Sequence, residues 1–522
     1  MIQDFHGPAV GTEHVADLCI VGAGPAGLAI AHRFLDSGTD VLVVESGGLD
    51  PDAGADELNA GENVGLPLSL REGRTRTYGG TGTLWPGQCI RLDRSDLEAR
   101  DWVPGSGWPL DRDQLDPYYR RAASWLGIPQ DTFDEQAWRR FGLVPPPFSP
   151  DYVEHRSSMY SKHPDVGAFY RSDIERSSNV RVLVNASVSH VDTSSPDGVV
   201  GDLTIRSLSG RVGRVRARTT VLCGGGIENA RLLLLSGYGQ RNDTVGRFLQ
   251  DHPTLWVDLA TNRAASLQEF YGWLGRGKVR YVPRMRLAPQ VQSEHRVLNA
   301  IATLIHDRAD TPGLVAAREI SSALQERRWP RSLRPADVRD VLRELPRVAI
   351  GAFRRFVQGR PSAAPLERTR VQILLEQSPN SESRISLSSE RDQLGLQKAR
   401  VDWRLSDRER RTARVFVEVL DAELRRLGLG HLTGFEWLDG DDWTKGFEDA
   451  YHPIGTTRMA DDPTAGVVDA DCRVHGLNGL YVCGTSVFPT SGYANPTLTI
   501  VALALRLADH LETELVRAAT WT

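Results

Sequence analysis

A chain of 522 residues is too long for one ordinary hydrophobic core, so two or three domains are expected. With 40% apolar and 25% charged residues it reads as a soluble globular protein, and a net charge of −5 excludes the basic field that a nucleic-acid partner needs. Its five cysteines, Cys19, Cys89, Cys223, Cys472 and Cys483, are scattered without a CxxC spacing, which excludes a disulfide framework and a zinc site; no metal is expected.

The first 18 residues lack a basic segment followed by an apolar one, and no window approaches 18 uncharged apolar residues. Neither a secretory signal nor a membrane span is expected, no membrane association is foreseen, and the expected address is the cytoplasm. Asp17–Val21 is a short apolar run of the kind found in buried parallel strands. Gly22-Ala23-Gly24-Pro25-Ala26-Gly27 follows at once, then a helical stretch over 28–35 and a second strand over 40–44 that ends at Glu45. Strand, glycine turn, helix, strand and acidic terminus in this order form a dinucleotide fingerprint. The glycines allow a tight turn and close approach of a diphosphate, the helix N-terminus offers free N–H groups, and Glu45 is placed to accept ribose hydroxyls. The pattern favours a ribose diol over a 2′-phosphate and leaves NAD and FAD both open.

Residues 49–75 are rich in Asp, Gly and Asn and read as a surface excursion able to cover a cofactor. A second glycine-rich loop, Tyr78-Gly79-Gly80-Thr81-Gly82-Thr83-Leu84-Trp85, brings backbone close to something flat or charged. Residues 181–188 read as a strand. Residues 219–226 read as another that runs into a helix over 227–235, which repeats the strand–glycine–helix pattern and signals that the nucleotide domain resumes. Strands at 371–376, 383–387 and 400–405 are assigned to a substrate-side sheet. Residues 336–357 carry apolar and arginine residues at helical spacing, with a kink expected at Pro346 and a solvated outer face.

Near the C-terminus stand His452, in Tyr451-His452-Pro453-Ile454-Gly455-Thr456, and Asn495, in Gly492-Tyr493-Ala494-Asn495-Pro496-Thr497. A base, a polar partner and a bound redox cofactor are the parts needed to take two electrons from an alcohol. Histidine suits the base because its pKa lies near neutrality. Asn495 followed by Pro496 is also a helix start signal, so a capping role competes with a catalytic one. His252, in Asp251-His252-Pro253, is read as fixing a turn.

Together these motifs resemble the glucose–methanol–choline (GMC) flavin oxidoreductases. The resemblance rests on Gly22 to Gly27 with Glu45, Gly79-Gly80-Thr81, Gly224 to Gly237, Val245 to Pro253, His452 to Met459, Leu480-Tyr481-Val482 and Asn495 to Thr499. Within that family the 79–85 and 490–499 segments look most like pyranose oxidases and bacterial sugar and C-glycoside 3-oxidases. The resemblance implies an α/β fold, α+β overall, with a discontinuous Rossmann-like FAD-binding domain over 1–150, 180–253 and 450–522. A substrate domain on a mostly antiparallel sheet would occupy 151–179 and 254–449, with a helical insertion near 315–360. It implies FAD, held by Gly22, Gly24, Pro25, Ala26, Gly27, Glu45, Ser46, Gly79, Gly80, Thr81, Thr83, Leu84, Val188, Cys223, Gly224, Gly484, Pro496 and Thr497. Fungal members bond the flavin covalently through a histidine where this chain has Leu84, so non-covalent FAD is expected. Gln372 and Glu376 would contact substrate, His452 would take the hydroxyl proton, and Asn495 would orient the hydroxyl. The implied reaction oxidises a ring hydroxyl of a sugar or glycoside, with O2 or another electron acceptor. A non-sugar alcohol such as a sterol, and a non-redox lyase reaction on the same fold, stand as alternatives.

Overall fold

The computed structural model describes residues 1–129, 136–276, 279–308, isolated positions between 311 and 339, 341–361 and 366–519. Its first layer is an eight-stranded sheet. The parallel part runs in the order Ile2–Asp4, Val180–Val184, Val41–Val44, Glu13–Val21, Val212–Leu222 and Leu480–Val482. Leu203–Arg206 and Ser187–Val191 extend it antiparallel. The central residues Leu18, Ile20, Val41, Val43 and Leu222 are fully buried because helices cover both faces of a parallel sheet. Register decides where the site lies. Val21 pairs with Val44 on one side and Leu222 on the other, so Gly22, Glu45 and Cys223 leave the sheet together at its carboxyl edge, where open α/β sheets bind ligands.

Helix Pro25–Arg33 packs on this sheet and against the long C-terminal helix Thr497–Ala519. The second layer is an antiparallel sheet in the order His431–Thr433, Thr254–Ala260, Leu366–Leu375, Ala300–Arg308, Val279–Leu287, Val153–Tyr160 and Gln88–Cys89. Helix Asp407–Arg426 starts at a capping box of Ser406 and Glu409. It buries Ala413, Phe416, Val417 and Leu420, one stripe at helical spacing, against this sheet.

Three expectations are corrected. The strand read over 181–188 is two strands broken at Asn185, which adopts a left-handed backbone; one half lies second from one edge of the sheet and the other at the opposite edge. Strands Arg384–Arg391 and Gln397–Asp402 do not join the antiparallel sheet but pair with Gly61–Asn63 in a sheet of their own. Pro346 does not kink a continuous helix: the chain breaks at Glu344 and Pro346 sits in the first turn of helix Leu345–Phe353, where a missing N–H costs nothing. Leu342, Leu345, Ile350 and Phe353 are exposed there, so this apolar stripe does not face the core. Part of the expected insertion, including 321–338, lies outside the described residues. The cysteines are all buried and free, and no helix of the described residues is long and apolar enough to cross a membrane.

Candidate active site

Gly22, Gly24, Pro25, Glu45, Ser46, Gly80, Thr81, Val188, Cys223 and Gly224 line one cavity at the carboxyl edge of the parallel sheet. A Cβ on Gly24 would meet nothing within 4 Å, so the turn faces open space. A Cβ on Gly27 would lie 2.0 Å from the Gly22 carbonyl; that glycine serves helix–strand packing and has no place in the lining. The buried Glu45 carboxylate accepts from the Ala23 N–H at 2.7 Å and the Gly47 N–H at 2.9 Å. These bonds hold strand end to glycine turn, and burial raises the Glu45 pKa. Gly79 and Thr83 shape the second glycine loop. Gly79 N–H donates to Ala23 C=O, and Thr83 Oγ1 donates to Gly80 C=O. Leu84 is 53% exposed and, like Ala26, Gly79, Thr83, Gly484, Pro496 and Thr497, does not line this cavity.

The sequence reading missed Asn59, Arg74, Arg76, Glu228 and Asn229, which also line it. Arg74, Arg76 and Arg231 converge on Glu228 at 3.2, 2.9 and 3.1 Å. Despite burial, which acts to raise it, the three guanidiniums hold that carboxyl well below its usual range. Asn229 is fully buried; its Oδ1 accepts from Gly224 N–H at 2.7 Å and its Nδ2 donates to Ser486 at 3.0 Å. The alternating arginines of Arg74-Thr75-Arg76 were a legible signal of a phosphate-sized positive field at the end of the excursion. A buried acidic strand end, open space before a glycine turn and two lining guanidiniums fit a dinucleotide with a diphosphate.

The second half of the site is built around Asp251. Its carboxylate accepts backbone N–H groups of His252 (2.6 Å), Ala450 (3.1 Å) and His452 (3.0 Å), which clamps the His452 loop onto the 251–252 turn. Burial and the nearby Asp449 push its pKa up to about 7, against the pull of those N–H groups. His252 does more than fix a turn. Its Nδ1 lies 2.9 Å from His452 Nδ1 and its Nε2 lies 3.4 Å from the Ser491 carbonyl. Burial lowers the pKa of both imidazoles, that of His252 to about 4 and that of His452 well below 6.5, where His252 adds to the effect. Both rings are therefore neutral at pH 7. A carbonyl only accepts, so we assign the His252 proton to Nε2. His252 Nδ1 is then an acceptor, His452 Nδ1 carries the proton that it accepts, and His452 Nε2 is left with a bare lone pair. Among the described residues that Nε2 has no hydrogen-bond partner.

Asn495 lies four residues beyond Ser491. The last helix begins at Thr497, one residue later than expected, and Ile500 N–H donates to Pro496 C=O at 2.9 Å. Asn495 therefore does not cap it, and its Oδ1 is buried with no partner among the described residues. Glu376, expected near substrate, is fully buried instead: it forms a two-pronged pair with Arg100 at 2.8 and 2.5 Å and accepts the Asn299 N–H at 3.0 Å. It is absent from a second cavity, about 630 Å³, whose lining includes Gln372, Gln88, Tyr160 and Arg284 on the antiparallel sheet.

Two family models described as GMC oxidoreductase match residues 165–254 and 379–504. Paromamine 6′-oxidase of Streptomyces fradiae is 26% identical, over 97% of this chain and 93% of that protein. C-glycoside 3-oxidase of Microbacterium trichothecenolyticum is 34% identical over 158 residues, 29% of each chain. The crystal structure of pyridoxine 4-oxidase from Mesorbium loti superposes with a TM-score of 0.58 at 18% identity, over 95% of this chain and 99% of that one. The protein belongs to the GMC oxidoreductases, and it is an FAD-dependent enzyme that oxidises alcohols.

Proposed function

We propose that the enzyme oxidises a hydroxyl of a sugar or glycoside to the carbonyl, with His452 as the base and Asn495 as the group that orients the hydroxyl. The observation that carries this reading is the chain from the Ser491 carbonyl through His252 to His452, which leaves His452 Nε2 as a free acceptor. Oxidation of a carbinol to its carbonyl releases one proton from oxygen and one hydride from carbon. Bound FAD supplies the acceptor for that hydride. His452 Nε2 takes the proton, and the resulting imidazolium keeps its Nδ1–H on His252 Nδ1, so charge develops against a prepared acceptor. Asn495 Oδ1, without a protein partner, and the amide nitrogen beside it are available to the hydroxyl oxygen and its proton. Support for a sugar-like substrate comes from the polar lining of the second cavity and from relatives named for paromamine and C-glycosides.

FAD is held without a covalent bond in this reading, because Leu84 offers no nucleophile; acid precipitation then releases all of the flavin. The test is a panel of monosaccharides, glycosides and simple alcohols, monitored for flavin bleaching under nitrogen and for peroxide under air. Bleaching by sugars, lost in His452→Ala with the FAD spectrum retained, is the expected result. Rapid reduction of His452→Ala overturns the role of His452. Bleaching only by non-sugar alcohols overturns the substrate class, and carbonyl release without bleaching overturns the redox reaction.

A further inference from the structure

Strand Val279–Leu287 carries Arg284 and Arg286, and the register with Val153–Tyr160 sets Arg284 opposite Arg156 and Arg286 opposite Glu154. Three arginines therefore share one face of the antiparallel sheet. Two of them are neutralised. Arg286 pairs with Asp93 at 2.8 Å and Glu154 at 3.0 Å, and Arg156 pairs with Glu154 at 2.7 Å. Arg284 is not. It is 4% exposed, it lines the second cavity, and its buried Nε and Nη1 have no hydrogen-bond partner among the described residues. Burial lowers its pKa, and among the described residues the phenols of Tyr160 and Tyr493 act against this. No carboxylate is present among the described residues that line the cavity. Thr303 Oγ1, which also lines the cavity, is a second buried group without a partner among the described residues.

A guanidinium cannot shed its charge when desolvated, so an unpaired buried one is costly unless an anion joins it. Its planar fork matches a carboxylate or a phosphate. We propose that this cavity takes an acidic polyol, a uronate or a sugar phosphate, whose anionic group pairs with Arg284 and accepts from Thr303. A cationic amino sugar of the paromamine kind is disfavoured by the same charge. This rests on the proposed oxidation of a sugar-like hydroxyl and adds the charge class of the substrate. Arg156, the cross-strand partner of Arg284, lines a small cavity together with Tyr493, two residues before Asn495 in the chain.

The experiment uses the FAD-loaded enzyme with glucose, glucuronate, glucose 6-phosphate and glucosamine. It measures flavin bleaching under nitrogen and, separately, the binding of inorganic phosphate and acetate by perturbation of the oxidised flavin spectrum. The expected result is a kcat/KM at least tenfold higher for an acidic sugar than for glucose, with glucosamine poorest. Arg284→Gln should abolish that preference through KM and weaken phosphate or acetate binding about tenfold, while FAD content stays unchanged. Arg284→Lys should restore part of the preference, and the wild-type substrate comparison stands even if a variant misfolds. Equal kcat/KM for acidic, neutral and amino sugars overturns the proposal. So does an Arg284→Gln variant that slows all substrates alike and loses FAD, because Arg284 then serves the cofactor. If no sugar bleaches the flavin but Arg284 still governs anion binding, the sugar reading falls and the anion site stands.

Discussion

Replacing His252 with leucine removes the acceptor that holds the proton on His452 Nδ1, at 2.9 Å in the native geometry, while leaving His452 itself in place. Two consequences follow. The bare lone pair at Nε2 is no longer enforced, and the imidazolium formed in the transition state loses a charge-assisted hydrogen bond. Such bonds contribute about 1.5–3 kcal/mol, which corresponds to a rate loss of roughly 10- to 150-fold. The assay is stopped-flow reduction of the flavin under nitrogen, at saturating substrate, with FAD content and melting temperature measured alongside. The substrate dissociation constant should change little, because His252 touches the base and leaves the alcohol alone. His252→Asn places a side-chain oxygen close to the former Nδ1 and should recover much of the rate. A His252→Leu variant that reduces at the wild-type rate refutes the reasoning. An asparagine variant no faster than the leucine one, with both folded and loaded with FAD, refutes it equally.

Burial lowers the His452 pKa, so the neutral base persists below the ordinary imidazole range; kcat/KM should be flat above pH 6.5 and fall only on the acid side of it. An acid limb centred above pH 7 contradicts this. The same shifts set a stability window: the unfolded chain binds protons on His252 and His452 where the folded one does not. Stability is therefore lost as pH falls from 6.5 towards about 4, visible in urea midpoints. Asn495→Ala removes an oxygen that has no protein partner, so melting should shift little while flavin reduction slows at least tenfold; a large melting shift with an unchanged rate restores the capping role. Glu376→Gln breaks the buried pair with Arg100 and should cost about 3–5 kcal/mol in chemical denaturation. An unchanged midpoint there removes the structural account of Glu376.

The nucleotide half of the protein was legible in the chain because its signals are local. The turn from Gly22 to Gly27 and the acidic end at Glu45 occupy one strand–helix–strand unit, and each residue type answers a backbone or ligand demand made within a few positions of itself. His452 and Asn495 could be singled out by residue type and motif, but their surroundings could not. Whether Asn495 caps a helix depends on where the first helical hydrogen bond forms, and Pro496 accepts it. Whether Glu376 meets substrate depends on Arg100, which stands 276 residues away in the chain. The proposed base, His452, is contacted by His252, 200 residues earlier in the chain, and the proton assigned to it follows from the carbonyl at Ser491. Arg284 and Arg286 look alike in sequence, and only the register with Glu154 and the reach to Asp93 leave one paired and the other bare. The sequence by itself determined the parallel sheet and a dinucleotide site at its edge, because hydrophobic period and turn chemistry are written in adjacent residues; FAD and the candidate base came from the family resemblance. Tertiary structure alone decided the proton position on His452 and the unpaired charge facing the second cavity, because hydrogen-bond and ion-pair partners are chosen by distance in space after the sheets have packed.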